Sequence, residues 1–224
     1  MSYSRKKKVK DNKPEFKSHN QLVGWVSFIL AILLALILRA TIIQAFTIPS
    51  GSMEDTLLIG DFLLGEKITY HFRSPRREEI IIFEHPKMPG RDLIKRCVAV
   101  EGDTVEVKNK DLFINGKEVP LAPGGKHIDP RFYPQRDNFG PYIVPKDCVF
   151  AMGDNRDNSD DSRFWGPVPL KDVKARPIFV YLSIDLGPEA RTIQHSIDIY
   201  KVLLKRIFHF PPAFRLRRIG FIVH

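Results

Sequence analysis

Cysteine and paired histidine ligands are scarce in this chain. Its 224 residues include only two cysteines, Cys97 and Cys148, and seven histidines that show no paired ligand spacing. A metal-dependent hydrolase is therefore a poor interpretation, and we expect neither a metal nor another cofactor. We interpret both cysteines as small apolar strand residues, although a disulfide between them remains open at this stage.

Internal repeats, a helix-turn-helix pattern and a basic stripe across the middle of the chain are also lacking. The net charge is +9, but residues 1–21 carry +5 and residues 201–224 carry +6. The remainder is therefore slightly acidic, at −2. Because the positive charge belongs to the two ends, we do not expect nucleic acid as a partner.

Charge is absent from residues 22–38, an apolar run of 17 residues that follows a basic tail. This is the short end of the length needed to cross a bilayer as a helix, and Trp25 suits an interfacial position. A cleaved signal peptide and a buried core helix are the alternatives. We predict a membrane anchor over residues 22–43, a cytoplasmic tail over 1–21 and an extracytoplasmic domain over 44–224. The lipid bilayer is thus an expected partner.

From residue 44 onwards the pattern is typical of β-strands. Short apolar runs stand between turn signals at 62–68, 79–84, 93–100, 104–107, 112–117 and 148–152. Residues 120–145 are rich in proline and glycine and are predicted to be irregular. The sequence predicts a mainly β fold with a modest inserted β subdomain at about 104–148, behind one transmembrane helix.

The segment from Ile193 to Phe210 has apolar residues at roughly helical spacing, interleaved with basic ones. An amphipathic helix lying on anionic lipid fits this pattern. A surface helix packed against the body fits it equally well, so both interpretations stay open.

Two separate segments hold the parts of a serine nucleophile and a lysine base. Ser50 and Ser52 flank Gly51 directly after the apolar segment, and Lys95 lies within an otherwise apolar run. A serine hydroxyl needs a base to become nucleophilic, and lysine can act as one when burial lowers its pKa. An isolated lysine of this kind would more often be a half-exposed strand residue.

The serine segment supplies more than a nucleophile. Gly51 permits backbone angles that are closed to other residues, and a second hydroxyl beside the nucleophile can stabilise a developing oxyanion. Spacing alone would allow either Ser50 or Ser52 to attack. On the strand that carries Lys95, the next residue Arg96 should point the opposite way, towards an acidic partner.

The segment 153–163 is unusually dense in polar groups, with four aspartates, two asparagines, two serines and two arginines. Between apolar anchors, such a density indicates an ion-pair network that stiffens a site. A calcium loop using Asp154, Asp157 and Asp160 is the alternative, but the spacing does not follow the EF-hand order.

Together these motifs resemble the bacterial type I signal peptidases, or leader peptidases, which are membrane-bound serine proteases with a Ser–Lys dyad. The resemblance spans roughly residues 44–185 and is carried by three segments in the family's order: 49–53, 95–96 and 153–163.

By position, the resemblance implies Ser52 as nucleophile, Lys95 as general base and Ser50 as the oxyanion-hole hydroxyl beside the Ser52 N–H. It implies a supporting set in which Ser159 orients the lysine, Asp161 pairs with Arg163, and Asp154 pairs with Arg96. It also implies small apolar pockets for alanine-like side chains at the first and third positions before the cut, lined by Ile48, Met53, Leu57, Leu93 and Ile94.

Two departures from the family pattern stand out. Asp55 occupies a position where the family usually has proline. Better-known relatives often have two membrane segments and a larger inserted β domain than this chain.

The function that the resemblance implies is removal of N-terminal signal peptides from exported preproteins, without a cofactor. Self-cleaving repressors use a related Ser–Lys pair, but they would need a DNA-binding domain where this chain has its apolar segment. The remaining alternative is a membrane-anchored β-rich binding or scaffold protein without catalysis.

Overall fold

The computed structural model describes residues 16–187, 196–209 and 213–223, which fall into two compact units divided after Ala40. The described residues of the first unit all belong to helix α1 (Phe16–Thr41), whose last residue falls in the second unit and whose side chains between residues 21 and 37 are exposed. Among the described residues, no helix is both long and apolar enough to cross a membrane. The anchor over residues 22–43 therefore stays a prediction.

The boundary after α1 differs from the sequence prediction. The anchor was extended to residue 43, but the helix ends at Thr41 and Ile43 already begins strand β1 (Ile43–Thr47), opposite Glu66. β-Branched residues such as Ile42 and Ile43 pack well on a pleated surface, which favours the strand here.

The second unit is mainly β, as predicted, and all of its strand pairs are antiparallel. Its large sheet has the order β1-β2-β11-β3-β4-β9-β10, with β12 beside β11, and a smaller sheet has the order β7-β6-β5-β8. The remaining strands are β2 (Asp61–Glu66), β3 (Ile80–Glu84), β4 (Asp92–Val100), β5 (Thr104–Lys108), β6 (Asp111–Ile114), β7 (Lys117–Val119), β8 (Phe139–Ile143), β9 (Cys148–Met152), β10 (Val168–Pro169), β11 (Val173–Asp185) and β12 (Ala213–Phe214).

Short helices connect the strands or cover the sheet. They are α2 (Thr69–Phe72), α3 (Pro134–Asp137), α4 (Ser162–Trp165) and α5 (Ser196–His209), with 3₁₀ turns at Gly51–Met53, Leu170–Asp172 and Leu216–Arg218. Helix α5 is packed against the sheet, because Ile199 is fully buried among Phe62, Ile184 and Leu186. Residues 193–195 and 210 of the predicted amphipathic segment lie outside the described residues.

The small sheet lies where an inserted β subdomain was predicted. Asn115 and Gly116 both have positive φ, as a tight hairpin turn requires, and they join β6 to β7. Segment 120–145 is not wholly irregular, however, since it contains β8, which pairs with β5. Gly140 and Pro141 are untypical of strands, so the sequence pattern does not indicate β8. Both residues are tolerated there because β8 lies at the edge of its sheet.

Strand β11 was not predicted, although it lies between β2 and β3 in the large sheet. It contains Pro177, and its pairing shifts register at several points. Such irregularities break the two-residue alternation by which strands are recognised.

Both cysteines are free thiols. Cys97 is buried on β4, and Cys148 is half-buried at the start of β9. The interpretation of both as small strand residues is thereby confirmed.

Among the open strand edges of the described residues are those of β1 and of the first half of β4. Strand β1 pairs only with β2. Strand β4 pairs with β3 along Asp92–Arg96, whereas β9 joins its other edge only from Arg96 onwards. The first half of β4 and all of β1 therefore offer backbone groups to an added strand.

Candidate active site

The 3₁₀ turn after β1 and the middle of β4 bring Ser52 and Lys95 together. Lys95 Nζ lies 2.5 Å from Ser52 Oγ. Both side chains are buried, at 2% exposure for Lys95 and 7% for Ser52. A neutral lysine at this distance can accept the hydroxyl proton of the serine, which is the geometry that general base catalysis requires.

Burial sets the protonation state of this lysine. Burial lowers the pKa of Lys95 from 10.5 to about 8. The negative charges of Asp161 and Asp160 act in the opposite direction and raise it. A low-dielectric environment disfavours the ammonium form, and the acids only partly offset this. The amine is therefore substantially neutral at mildly alkaline pH.

Ser50 stands at the mouth of the site. Its side chain is exposed, and its Oγ lies 3.3 Å from Ser52 Oγ. A hydroxyl this close to the nucleophile can donate a hydrogen bond to an oxyanion formed there.

The segment after β9 forms the support behind the serine turn. The N–H of Asn155 donates to the Ser52 carbonyl oxygen at 3.0 Å, and its side-chain amide donates to Gly51 O at 3.2 Å. A Cβ on Gly153 would collide with Ser159 Oγ and lie 2.5 Å from Ser52 O. Glycine at 153 is therefore what permits this close approach.

Arg96 and Asp154 form a buried, bidentate ion pair. Arg96 Nε and Nη2 donate to the two carboxylate oxygens of Asp154 at 2.9 and 2.8 Å. Thr56 Oγ1 also donates to Asp154, at 2.7 Å. Adjacent β4 residues thus reach opposite neighbours, Lys95 towards Ser52 and Arg96 towards Asp154. Thr56 was missed by the sequence analysis, because nothing in its local sequence indicates a partner 98 residues away.

A second bidentate pair joins Asp161 and Arg163. Arg163 Nε and Nη2 donate to Asp161 at 2.9 Å each, and the Gly153 N–H donates to the same carboxylate at 3.1 Å. Burial would raise the pKa of Asp161, but the Arg163 charge and these hydrogen bonds lower it. Asp161 is therefore an anion that holds the segment carrying Gly153 in place.

Ser159 lies beside Gly153 with its hydroxyl buried, close enough to the Asp161 carboxylate to contribute to the lowered pKa of that acid. The role of Ser159 in orienting Lys95 stays a prediction.

A cavity of about 370 Å³ opens over the dyad between β1 and the start of β4. Of the predicted pocket residues, Ile48, Met53, Leu93 and Ile94 line it. Leu57 does not, because it is fully buried in the core beside Met53. Several further lining residues were not assigned from the sequence, among them Phe46, Arg91 and Tyr200.

The turn after the nucleophile has an unexpected conformation. Asp55 adopts φ 77°, a left-handed angle that proline cannot reach, which accounts for the departure from the family pattern. Gly51, by contrast, is not among the glycines with positive φ. The reason proposed for Gly51 from the sequence is therefore wrong, and the left-handed residue of this turn is Asp55.

Two of the three carboxylates considered as calcium ligands have protein partners. Asp154 binds Arg96, and Asp157 accepts hydrogen bonds from the backbone of Ile128 and Asp129. Within the described residues, no group of three or more histidine, cysteine or acidic side chains is placed to hold a metal ion.

Comparison with known proteins places these features in context. The profile of the family described as "Signal peptidase, peptidase S26" matches residues 22–182. Signal peptidase I of Aquifex aeolicus is 35% identical over 212 residues. That alignment covers 70% of this chain and 83% of the Aquifex protein. Signal peptidase I of Leptolyngbya laminosa is 39% identical over 171 residues. That alignment covers 71% of this chain and 80% of the Leptolyngbya protein.

A solved structure is also similar in part. The crystal structure of a signal peptidase I from Enterococcus faecalis aligns at 30% identity with a TM-score of 0.39. The alignment covers 46% of this chain and 97% of that one.

Proposed function

The chain belongs to the signal peptidase family, peptidase S26, and we propose that it cuts preproteins with Ser52 as nucleophile and Lys95 as general base. As a member of that family it is a serine endopeptidase that removes signal peptides. The observation that carries the assignment of the dyad is the 2.5 Å approach of Lys95 Nζ to Ser52 Oγ in a buried setting. The rest of the mechanism follows from the groups around this pair.

In the first half of the reaction, neutral Lys95 takes the proton of Ser52 as the hydroxyl oxygen attacks the scissile carbonyl. Negative charge develops on the carbonyl oxygen, where the Ser50 hydroxyl and the Ser52 N–H donate hydrogen bonds to it. Lys95, now an ammonium, gives its proton to the leaving amine. The products of this half are an acyl-enzyme and the mature protein.

In the second half, Lys95 removes a proton from a water molecule, which attacks the ester of Ser52. The released signal peptide carries the new carboxylate, and the serine recovers its proton from the lysine. Each step needs the lysine neutral at its start, so the lowered pKa of Lys95 matters twice in each turnover.

Substrate binding follows from the free strand edges. An extended signal peptide pairs with the open edge of β1, of β4 residues 92–95, or of both, as an added strand. Side chains at the first and third positions before the cut enter the apolar end of the cavity, beside Ile48, Met53 and Ile94. The preference for alanine-like side chains at these positions is what the family resemblance implies.

We further propose that α1, from residue 22 to its end at Thr41, anchors the chain in the cytoplasmic membrane, with 1–21 on the cytoplasmic side and 44–224 outside. The support is the uncharged run 22–38 behind a tail of charge +5. An anchor would hold the enzyme in the same bilayer as the apolar segments of its substrates, which raises their effective concentration.

Cleavage of a preprotein by the purified full chain in lipid tests the dyad. We expect the unaltered chain to cut after a small residue, and Ser52→Ala and Lys95→Ala to lose this activity. Matched controls are Ser74→Ala and Lys117→Ala, which alter exposed residues and should cut normally. Cutting by Ser52→Ala with an unchanged product would refute the nucleophile assignment.

Protease protection in sealed inner-membrane vesicles tests the anchor separately. In inside-out vesicles, an epitope before residue 21 should be degraded while the body is protected until detergent is added. Degradation of the body in intact vesicles, or release of the chain by alkaline carbonate, would contradict the anchored orientation.

A further inference from the structure

Tyr200 on helix α5 lines the cavity over the catalytic pair. Its helix begins at Ser196, beyond residues 22–182 matched by the family profile. The neighbouring Ile199 is fully buried and fixes this part of α5 to the sheet. Tyr200 itself is 49% exposed, so much of its surface is available to a bound peptide.

The register of β1 and β2 shows which face of the sheet Tyr200 covers. Directly opposite residues share a face, and β1 pairs Phe46 with Leu63 and Thr47 with Phe62. Phe46 and Leu63 pack in the core cluster that also contains Ile48 and Met53.

Phe62 packs on the opposite face, against Ile199 of α5. The ring of Tyr200 meets the ring of Phe62 edge to face, with centroids 6.3 Å apart. Tyr200 therefore reaches the cavity from the Thr47 side, opposite to the apolar pocket beside Ile48.

A peptide that extends the sheet along β1 continues its pleat, so its side chains alternate between these two faces. Under the proposed function, the first and third side chains before the cut enter the pocket beside Ile48 and Met53. The second and fourth side chains must then face outwards, towards Tyr200.

We propose that Tyr200 is a specificity-determining residue that contacts the second side chain before the cut, and the fourth where the peptide is long enough. This inference rests on the proposed function, since it assumes a substrate strand beside β1. The half-exposed phenol ring favours a large apolar or aromatic partner over alanine or an acidic side chain, because both ring and partner lose water on contact.

A series of preproteins that differ only at the second position before the cut tests this inference. In the full chain, Tyr200→Ala should lower kcat/KM about threefold to tenfold for leucine and phenylalanine at that position, while alanine substrates change less than about twofold. Tyr200→Phe keeps the ring and should retain the preference. The ratio of rates for alanine and valine at the first position should not change in either variant.

Tyr181→Ala is the matched control. Tyr181 also contacts the Phe62 ring, with centroids 6.3 Å apart, but it does not line the cavity. The inference is overturned if Tyr200→Ala slows all second-position substrates by the same factor or by none, or if Tyr181→Ala reproduces its effect. Failure of the unaltered chain to cut any preprotein would instead reject the proposed function.

Discussion

The backbone N–H of Asn155 donates a hydrogen bond to the carbonyl oxygen of Ser52, with 3.0 Å between the two atoms. The nucleophile turn and the polar segment after β9 are thereby fastened together at the backbone. Since a main-chain bond holds the turn, the position of Ser52 depends on how closely the two segments approach. Gly153, two residues before Asn155, controls that approach.

Replacing Gly153 by alanine should therefore abolish activity. The new Cβ would lie 2.5 Å from Ser52 O and would collide with Ser159 Oγ, so one of the two segments must move. Cleavage assays on folded protein check the effect. Gly51→Ala is the matched control, because its Cβ would meet neighbouring atoms only at 3.8 Å and beyond. Equal activity of the two variants would disprove the packing argument.

The rate of cleavage should follow the titration of Lys95. The neutral amine is the proposed base and burial lowers its pKa to about 8, so kcat/KM should rise about tenfold per pH unit below this value and level off above it. The measurement is kcat/KM between pH 6 and 10 on one preprotein. A profile flat across pH 8 would show that another group limits the reaction.

Lys95→Met should stabilise the fold while removing the activity. The folded-state pKa of Lys95 is lowered from 10.5 to about 8, so the unfolded chain binds more protons between these values. The buried ammonium consequently costs stability below pH 8, on the order of 3 kcal/mol, and this cost disappears as pH rises towards 10.5.

Denaturant unfolding of both proteins at pH 7 and pH 10 measures this gain. We expect the variant's advantage to be largest at pH 7 and small at pH 10. Lys117→Met, which alters an exposed lysine, should show no such pH dependence. An advantage that is equal at both pH values would rule out a cost of burying charge.

Asp154→Asn should destabilise the fold by about 3–5 kcal/mol, because Arg96 would keep a buried charge without its partner. The free energy of unfolding is the measurement. Glu106→Gln breaks the more exposed pair with Lys108 and should cost less than about 1 kcal/mol. Similar losses in the free energy of unfolding for the two variants would mean that burial does not make the Arg96–Asp154 pair more costly to break.

Asp55→Pro should impair folding. Its backbone has φ 77°, and the proline ring holds φ near −65°. Asp55→Gly, which allows that angle and also removes the contact with Lys126, should retain the fold and most of the activity. Thermal unfolding compares them, and a proline variant as stable as the glycine variant would refute the predicted strain.

Much of the candidate site was predictable because its residue types need particular surroundings. A serine beside a turn, a lysine within an apolar run and a dense polar segment between apolar anchors each limit the chemistry available. The two-residue alternation of a strand was enough to separate the direction of Lys95 from that of Arg96. Short apolar runs between turn signals, such as Ile80–Glu84 and Cys148–Met152, were likewise recognisable as strands.

The sequence by itself thus indicated the family's chemistry, the two segments that carry Ser52 and Lys95, and about half of the strands, because these depend on local pattern and residue type. Only the tertiary structure shows that Thr56 contacts Asp154, that Leu57 lies in the core and not in the cavity, and that Tyr200 lines the cavity over Ser52 and Lys95. These relationships join segments far apart in the chain. They arise from sheet order and register, which short-range patterns do not encode.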